Sequence, residues 1–258
     1  MLKISKIFMK EEKIVVNKIC KEFKVDAQKD RGALSAVLDF FSIGKRYRKL
    51  QVLDDVSFSV NSGEILGVIG KNGYGKSTLL RIVSGIYKPD QGLVKTIGSV
   101  YYLSGFRQTL VGKLTMRENI FLIGTLMGFG KKEISKKVDQ IVDFSGLKDF
   151  IDCKVYKFSS GMITRLSFSA TMYCIEHQNP DIILLDEVFG AGGDIDFRQK
   201  AIEKMAEFIK KGATVILASH DLELIEKYCN RVILLEKGRV VAQGCPKEVV
   251  IAYQGKNF

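Results

Sequence analysis

Apolar positions form short continuous runs in some segments of the chain and recur at helical spacing in others. Residues 65–69, ILGVI, make an apolar run suited to a buried parallel strand, whereas residues 77–83 have apolar positions at helical spacing. Strand-like runs return in four later segments: 182–185, 214–218, 232–235 and 240–242. Helical segments separate some of these strands, which indicates parallel crossover connections. The pattern therefore predicts an α/β core.

Other segments predict elements outside this core. Residues 12–19 alternate loosely, like an edge strand, and residues 52–60 alternate more clearly. Between them lies an insertion in which residues 34–41 have the spacing of a short amphipathic helix. Another strand is expected at 94–103. From about residue 115 to 175 the pattern is mainly helical, which predicts a helical subdomain.

The composition is typical of an ordered globular protein. The chain has 258 residues, of which 46% are hydrophobic and three are prolines, so it can bury a substantial core. Its five scattered cysteines include no Cys-x-x-Cys pair, which argues against a disulfide or zinc framework. No apolar window is long enough to span a membrane, and the N-terminus lacks the apolar centre of a secretion signal. We therefore expect the chain to stay in the cytoplasm.

The net charge of +11 at pH 7 bears on the partners of the chain. Nucleic acid, anionic lipid headgroups and a nucleotide would each satisfy this charge. A basic solvated surface with no dedicated partner is the alternative, because a charge count does not fix geometry.

A glycine-rich loop between strand 65–69 and helix 77–83 is the clearest chemical signal. The loop consists of Gly70, Lys71, Asn72, Gly73, Tyr74, Gly75, Lys76, Ser77 and Thr78. Its glycines let successive N–H groups converge on phosphate oxygens at the positive end of the following helix. Lys76 is expected to reach the β- and γ-phosphates, Ser77 to ligate Mg²⁺ and Thr78 to hydrogen-bond phosphate. This spacing predicts a nucleoside triphosphate site.

Asp186 and Glu187 directly follow the apolar run 182–185. A buried strand releases such carboxylates at its C-terminal end, where open α/β sheets bind ligands. We assign Asp186 to Mg²⁺ through its water shell, and Glu187 to polarising the attacking water as general base. The alternative is a simple acidic turn after a buried strand. The upstream phosphate loop favours the catalytic interpretation.

His220 follows the run 214–218 and is expected to point into the same crevice. A histidine there can hydrogen-bond the γ-phosphate and help position water, although a strand-end histidine satisfied by its neighbours is the alternative. His177 has no such context and is assigned a structural role.

Residues 158–162, FSSGM, precede a helix that is expected to begin near Ile163. Ser159 and Ser160 suit a helix N-cap. A small, hydroxyl-rich helix start that includes Gly161 is also an anion site.

From about residue 13 to 250, the chain resembles the ATP-binding subunits of ABC transporters. The phosphate loop, the signature-like segment 158–162, the Asp186–Glu187 pair and His220 occur in the order and approximate spacing of that family. The resemblance implies a P-loop NTPase (RecA-like) α/β core with an antiparallel β subdomain and a helical subdomain at about 106–175. Residues 1–12 and 251–258 would be terminal extensions.

In that family the signature of one subunit caps ATP held by the phosphate loop of the other. The resemblance therefore implies ATP and Mg²⁺ as cofactors and a second copy of this chain as partner. Ser159, Ser160 and Gly161 would contact the nucleotide of the partner subunit. Asp194 resembles the aspartate that contacts the partner in such dimers.

Within the family, the chain is most similar to the subunits that export polysaccharides such as O-antigen, capsule or teichoic acid. The basis is the signature SSGM, residues 114–120 and 186–192, and the insertion before Val52. This similarity implies a membrane-spanning permease partner, a lipid-linked polysaccharide as substrate, and a peripheral position on the cytoplasmic face of the inner membrane. Longer relatives append a carbohydrate-binding domain, and from the length of this chain we expect no such domain here.

Three further residues are candidates through the resemblance. Gln108 is the candidate for the glutamine that senses Mg²⁺ and contacts the membrane subunit. Phe23 and Tyr47 compete to stack on adenine. Tyr47 lies at a familiar distance before Lys76, but Phe23 follows the first strand as in subfamily members with the insertion, and we favour Phe23. Packing against the insertion is the alternative for either ring.

Two other functions fit the same ATPase core. A soluble nucleic-acid clamp or translation factor would use the basic charge, but such proteins usually carry tandem ATPase domains or long coiled coils, so no nucleic acid is expected. A regulatory module without turnover is disfavoured by Glu187 and His220.

Overall fold

The computed structural model describes residues 11–26, 47–104, 110–188 and 195–255. The described strands are β1 Glu12–Asp26, β2 Tyr47–Asn61, β3 Ile65–Ile69, β4 Gln91–Thr96, β5 Val100–Ser104, β6 Ile182–Asp186, β7 Thr214–Ala218, β8 Arg231–Glu236 and β9 Arg239–Gly244. The described α-helices are α1 Lys76–Val83, α2 Met116–Leu126, α3 Lys131–Ser145, α4 Ser160–Gln178, α5 Ile195–Lys210, α6 Leu222–Tyr228 and α7 Pro246–Gly255. Short 3-10 turns occur at Lys148–Phe150 and Val155–Lys157.

The strands form two sheets. The larger has six strands in the order β5-β6-β7-β3-β8-β9, with parallel pairing throughout except for the antiparallel β8–β9 pair. The smaller has three antiparallel strands in the order β2-β1-β4. Because β3 lies between β7 and β8, the loop that follows β3 opens at the centre of the larger sheet.

Two buried clusters on opposite faces of the larger sheet explain its continuous apolar runs. In β6 every residue is buried. Ile183 and Leu185 pack with Phe168 of α4, whereas Ile182 and Leu184 pack with Leu79 of α1 and with the smaller sheet. A strand covered on both faces has no polar side, as the sequence pattern predicted.

The helical segment between β5 and β6 has a core of its own, which includes Met116, Ile120, Ile141 and Leu166. A capping box starts α2, because the Thr115 hydroxyl accepts from Glu118 N and the Glu118 carboxylate accepts from Thr115 N. Across the described ranges, no helix is both long and apolar enough to cross a membrane.

Two strand predictions were wrong in detail. Residues 94–103 are not one strand: β4 ends at Thr96 in the smaller sheet, and β5 begins at Val100 in the larger one. Gly98 lies between them at a φ of +104°, and a Cβ there would overlap the Asp181 side chain. Segment 12–19 is not an edge strand either, since β1 pairs with β2 on one side and β4 on the other. The helix predicted at 34–41 lies outside the described residues.

Candidate functional site

The loop between β3 and α1 has a backbone that only glycine can follow at two points. Gly70 has a φ of +149°, and a Cβ there would overlap the carbonyl oxygen of Leu235. Gly75 has a φ of +99°, and its Cβ would lie 2.8 Å from the carbonyl oxygen of Val52. Gly75 is also the N-cap of α1, with no side-chain cap and no acidic residue in the first turn. The first amides of α1 have neither intrahelical acceptors nor a side-chain cap, which suits a phosphate group.

Lys76 is buried at the start of α1, with a relative exposure of 6%. Its Nζ donates to the carbonyl oxygens of Gly70 at 2.7 Å and Lys71 at 3.4 Å. It also lies 3.9 Å from Oε1 of Glu187. Burial lowers the pKa of Lys76, and the negative charges of Glu187 and Asp186 partly oppose that shift. The Lys76 ammonium thus lies close enough to feel the charges of the predicted general base, Glu187, and of the predicted metal ligand, Asp186.

Ser77 and Asp186 meet across the gap between α1 and β6. The Ser77 hydroxyl donates to Asp186 Oδ1 at 3.0 Å, and Asp186 is only 5% exposed. Hydroxyl and carboxylate oxygens are the ligands that Mg²⁺ prefers, and it is usually held by one or two protein groups together with water and substrate phosphates. No cluster of three or more metal-binding side chains occurs in the described residues. The pair fits Mg²⁺ that enters with a nucleotide.

Glu187 and His220 lie at the ends of neighbouring strands. His220 Nδ1 is 2.6 Å from Glu187 Oε2, and the Glu187 amide donates to the carbonyl oxygen of Ala218 at 3.0 Å. Glu187 has a φ of +54°, a conformation that is unusual for a residue with a Cβ. Its Oε1 is buried and accepts no hydrogen bond in the described part of the chain. An unsatisfied carboxylate oxygen beside Lys76 suits the capture of a polarised water.

The structure therefore brings together Lys76, Ser77, Asp186, Glu187 and His220 at the C-terminal edge of the larger sheet. The sequence predicted their neighbourhood from strand ends and the phosphate loop alone.

The segment Ser159–Gly161 lies at the start of α4. The helix begins at Ser160 instead of near Ile163, so that prediction was three residues late. Ser159 is the N-cap, and its hydroxyl accepts from the Met162 amide at 3.3 Å. Ser159 and Ser160 are exposed and Gly161 is half-buried. The hydrogen bonds described for them stay within the first turns of α4 and do not involve the phosphate loop.

The two adenine candidates lie on the smaller sheet. Phe23 packs edge-on against Tyr87, with ring centroids 5.6 Å apart, and Lys21 Nζ lies 5.6 Å from the Phe23 ring centre. Phe23 also lines an open cavity of about 550 Å³ with Gln51 and Asp54. Tyr47 is the first residue of β2 and pairs with Asp26. Gln108 and Asp194 lie outside the described residues.

Sequence analysis missed two residues beside Asp186. The Tyr102 hydroxyl donates to Asp186 Oδ2 at 2.8 Å, and Arg81 Nε donates to the Tyr102 hydroxyl at 3.3 Å. The i,i+4 spacing of Ser77 and Arg81, which places both on one face of α1, was the available signal. No comparable signal marked Tyr102, since its approach to Asp186 depends on the β5–β6 pairing.

Comparison with known proteins gives the family. The ABC transporter family model matches residues 53–190. The O-antigen export system ATP-binding protein RfbB of Klebsiella pneumoniae is 40% identical over 207 residues, which cover 80% of this chain and 82% of that protein. The teichoic acids export ATP-binding protein TagH of Lactococcus lactis is 42% identical over 216 residues, covering 83% of this chain but 44% of that protein.

A solved ATP-binding subunit of an ABC transporter has the same fold, with a TM-score of 0.70, 24% identity and 93% coverage of both chains. This likeness supports the α/β P-loop architecture, whereas the family follows from the sequence matches. The chain belongs to the ABC transporter family.

Proposed function

We propose that this chain is the ATP-binding and ATP-hydrolysing subunit of a transporter that exports a lipid-linked polysaccharide. The observation that carries the ATPase part is the cluster around Lys76. A buried ammonium, a hydroxyl–carboxylate pair and an unsatisfied glutamate oxygen lie at the mouth of a phosphate-binding loop. Phosphoryl transfer needs such groups: a cradle, a metal site and a group that orients the nucleophile.

The loop and Lys76 would bind the triphosphate. The amides at the start of α1 would donate to phosphate oxygens. Lys76 would exchange its bonds to Gly70 and Lys71 for bonds to the same group. Ser77 and Asp186 would hold Mg²⁺, which when bound neutralises charge on the phosphates. Their oxygens lie 3.0 Å apart, so both can approach the same ion.

Glu187 would orient and deprotonate the attacking water through Oε1, the oxygen that His220 leaves free. His220 binds the other oxygen, Oε2, and so restrains the rotation of the carboxylate. The exposed position of His220 also allows it to contact a γ-phosphate. Both roles of His220 require it to lie beside Glu187, as it does where β6 and β7 end.

A second copy would complete the site. Ser159 and Ser160 are exposed at a helix start that is suited to an anion, and the hydrogen bonds described for this start lie within α4. We infer that this surface covers the nucleotide held by the loop of another copy. Phe23 remains our candidate for stacking on adenine.

The transport part of the proposal follows the relatives. Proteins at 40% and 42% identity are named as ATP-binding components of O-antigen and teichoic acid export. We therefore infer a separate membrane-spanning permease, a lipid-linked polysaccharide as cargo and a peripheral position at the cytoplasmic face of the inner membrane. The proposed domain runs from residue 13 to 250, with its helical part at about 106–175.

Affinity purification from detergent-solubilised membranes tests this proposal. The tagged chain is expected to recover a polytopic membrane protein, and cells without the chain should accumulate lipid-linked polysaccharide on the cytoplasmic side. Recovery of ribosomes, or salt-sensitive DNA binding without any membrane protein, would instead support the nucleic-acid clamp.

A further inference from the structure

Three hydrogen bonds and one turn of α1 form a ring beside the proposed magnesium site. Asp186 accepts through both oxygens: Oδ1 from Ser77 at 3.0 Å and Oδ2 from Tyr102 at 2.8 Å. Arg81 Nε donates to the Tyr102 hydroxyl at 3.3 Å. Because Ser77 and Arg81 are one turn apart on the same face of α1, the helix closes the ring.

The direction of each bond in this ring is fixed by chemistry. An ionised carboxylate only accepts hydrogen bonds, and a guanidinium only donates them. Tyr102 has a single O–H, so it donates this proton to Asp186 and accepts from Arg81. A donor that is itself polarised by a cation makes a stronger bond to its acceptor.

The pairing of β5 with β6 places Tyr102 where it can act. In this parallel pair, Tyr102 lies beside Leu184 and Ser104 lies beside Asp186. Tyr102 and Leu184 belong to the face that packs against α1. The phenol therefore reaches along the strand to the carboxylate that ends β6.

We propose that Tyr102, supported by Arg81, is a positioning residue that fixes the rotation of the Asp186 carboxylate so that Oδ1 faces the Ser77 hydroxyl. The terminal torsion of an aspartate is broad, so without the Tyr102 proton the carboxylate samples other rotations. This inference rests on the proposed function, because the metal is expected to arrive with the nucleotide. Partners that orient a metal ligand typically change metal affinity by about 10- to 100-fold.

Tyr101 provides a matched control in the same strand. It packs against the opposite face of the sheet, where its hydroxyl donates to Gln178 Oε1. Tyr101→Phe and Tyr102→Phe thus remove the same half-buried hydroxyl from adjacent positions. Only the second removes a bond to Asp186.

The experiment measures how much a divalent metal strengthens nucleotide binding. The dissociation constant of a non-hydrolysable ATP analogue is determined with Mn²⁺ and again with EDTA, and the ratio gives the metal-dependent gain. Tyr102→Phe is expected to reduce this gain by about tenfold, to leave affinity in EDTA unchanged, and to alter the EPR spectrum of bound Mn²⁺. Tyr101→Phe should behave as wild type in all three measurements.

Arg81→Met tests whether Arg81 acts on Asp186 through Tyr102 or independently of it. Alone it should reduce the metal-dependent gain by about threefold, since Tyr102 still donates but is less polarised. In the Tyr102→Phe background it should add less than about twofold, because its route to Asp186 is already broken.

The possible outcomes distinguish two failures. If the wild type gains nothing from Mn²⁺, the proposed function fails and the inference fails with it. If the wild type does gain, but Tyr102→Phe matches it or Tyr101→Phe loses as much, only the positioning role is overturned.

Discussion

The phosphate-loop region and the start of α4 differ in how many of their functional groups already have partners within one chain. Around the loop, Ser77 donates to Asp186 and Lys76 donates to Gly70 at hydrogen-bond distances, and both Lys76 and Asp186 are buried. At α4, Ser159 and Ser160 are exposed, and within the described part of the chain their hydrogen bonds lie in the first turns of the helix. The first region is preorganised within the chain, whereas the second presents a surface. We infer that the second becomes functional against another copy.

The largest expected effect is that of Glu187→Gln, in the preorganised region. Removing a general base typically lowers turnover by about 10²- to 10⁴-fold, and we expect a loss of about 10³-fold with nucleotide binding retained. ATP should then accumulate at the interface, so that a dimer appears in light scattering. Glu226→Gln, at an exposed position of α6, is the control. Normal ATP hydrolysis by Glu187→Gln would remove this residue from its assigned role.

Lys76→Met tests the same region through binding. A hydrogen bond to a charged group contributes about 1.5–3 kcal/mol, so nucleotide affinity should fall by about 10- to 100-fold. Fluorescence titration of the isolated chain with a labelled ATP measures this change. Because Lys76 belongs to the loop region, the loss should be independent of protein concentration. An unchanged affinity would mean that Lys76 does not reach the phosphates.

Ser160→Glu tests the exposed region without disturbing its fold. An acidic residue in the first turn stabilises a helix by about 0.3–1 kcal/mol, so α4 should remain intact. The same charge would repel a triphosphate on the facing copy, and turnover should fall by about tenfold or more. Nucleotide binding by the monomer should stay within about twofold of the wild type, and neutral Ser160→Gln, which adds similar bulk without the charge, should lose less turnover than Ser160→Glu. Loss of monomer binding would show that the two regions are not separable as proposed.

The smallest expected effect concerns stability and pH. The pKa of Lys76 is lowered in the folded chain from its usual value of 10.5, so the folded state releases this proton at a lower pH than the unfolded state. Between the two pKa values the unfolded state binds more protons, and the stability of the wild type rises with pH. Relative to Lys76→Met, the wild type should therefore gain free energy of unfolding as the pH approaches 10.5. Urea titrations at several pH values measure this difference, and the opposite slope would contradict the burial argument.

Much of the fold was predictable because its strands carry strong local signals. Continuous apolar runs predicted β3, β6 and β7, each of which is buried along its whole length. The break between β4 and β5 was not predictable, since it depends on which sheet each strand joins. The central position of β1 was missed for the same reason, because local alternation does not reveal how many partners a strand has.

The candidate site also contains residues that were predictable from sequence and residues that were not. Lys76, Asp186 and Glu187 follow from short motifs at strand ends, where topology leaves little freedom. Tyr102 carries no such motif, and its role depends on a neighbouring strand and on the distance to Asp186. Sequence patterns therefore reveal groups that approach a ligand more readily than groups that orient them.

The most direct test of a shared site mixes two defective chains. In the Glu187→Gln background, one chain also carries Lys76→Met and the other carries Ser160→Glu. Each alone should remain monomeric with ATP, because every possible interface lacks either an intact loop or an intact α4 start. A mixed dimer has one composite site with an intact loop and an intact α4 start and one site in which both are defective. Light scattering of the mixture should therefore show an ATP-dependent dimer. A mixture that stays monomeric, or either variant dimerising alone, would contradict the account.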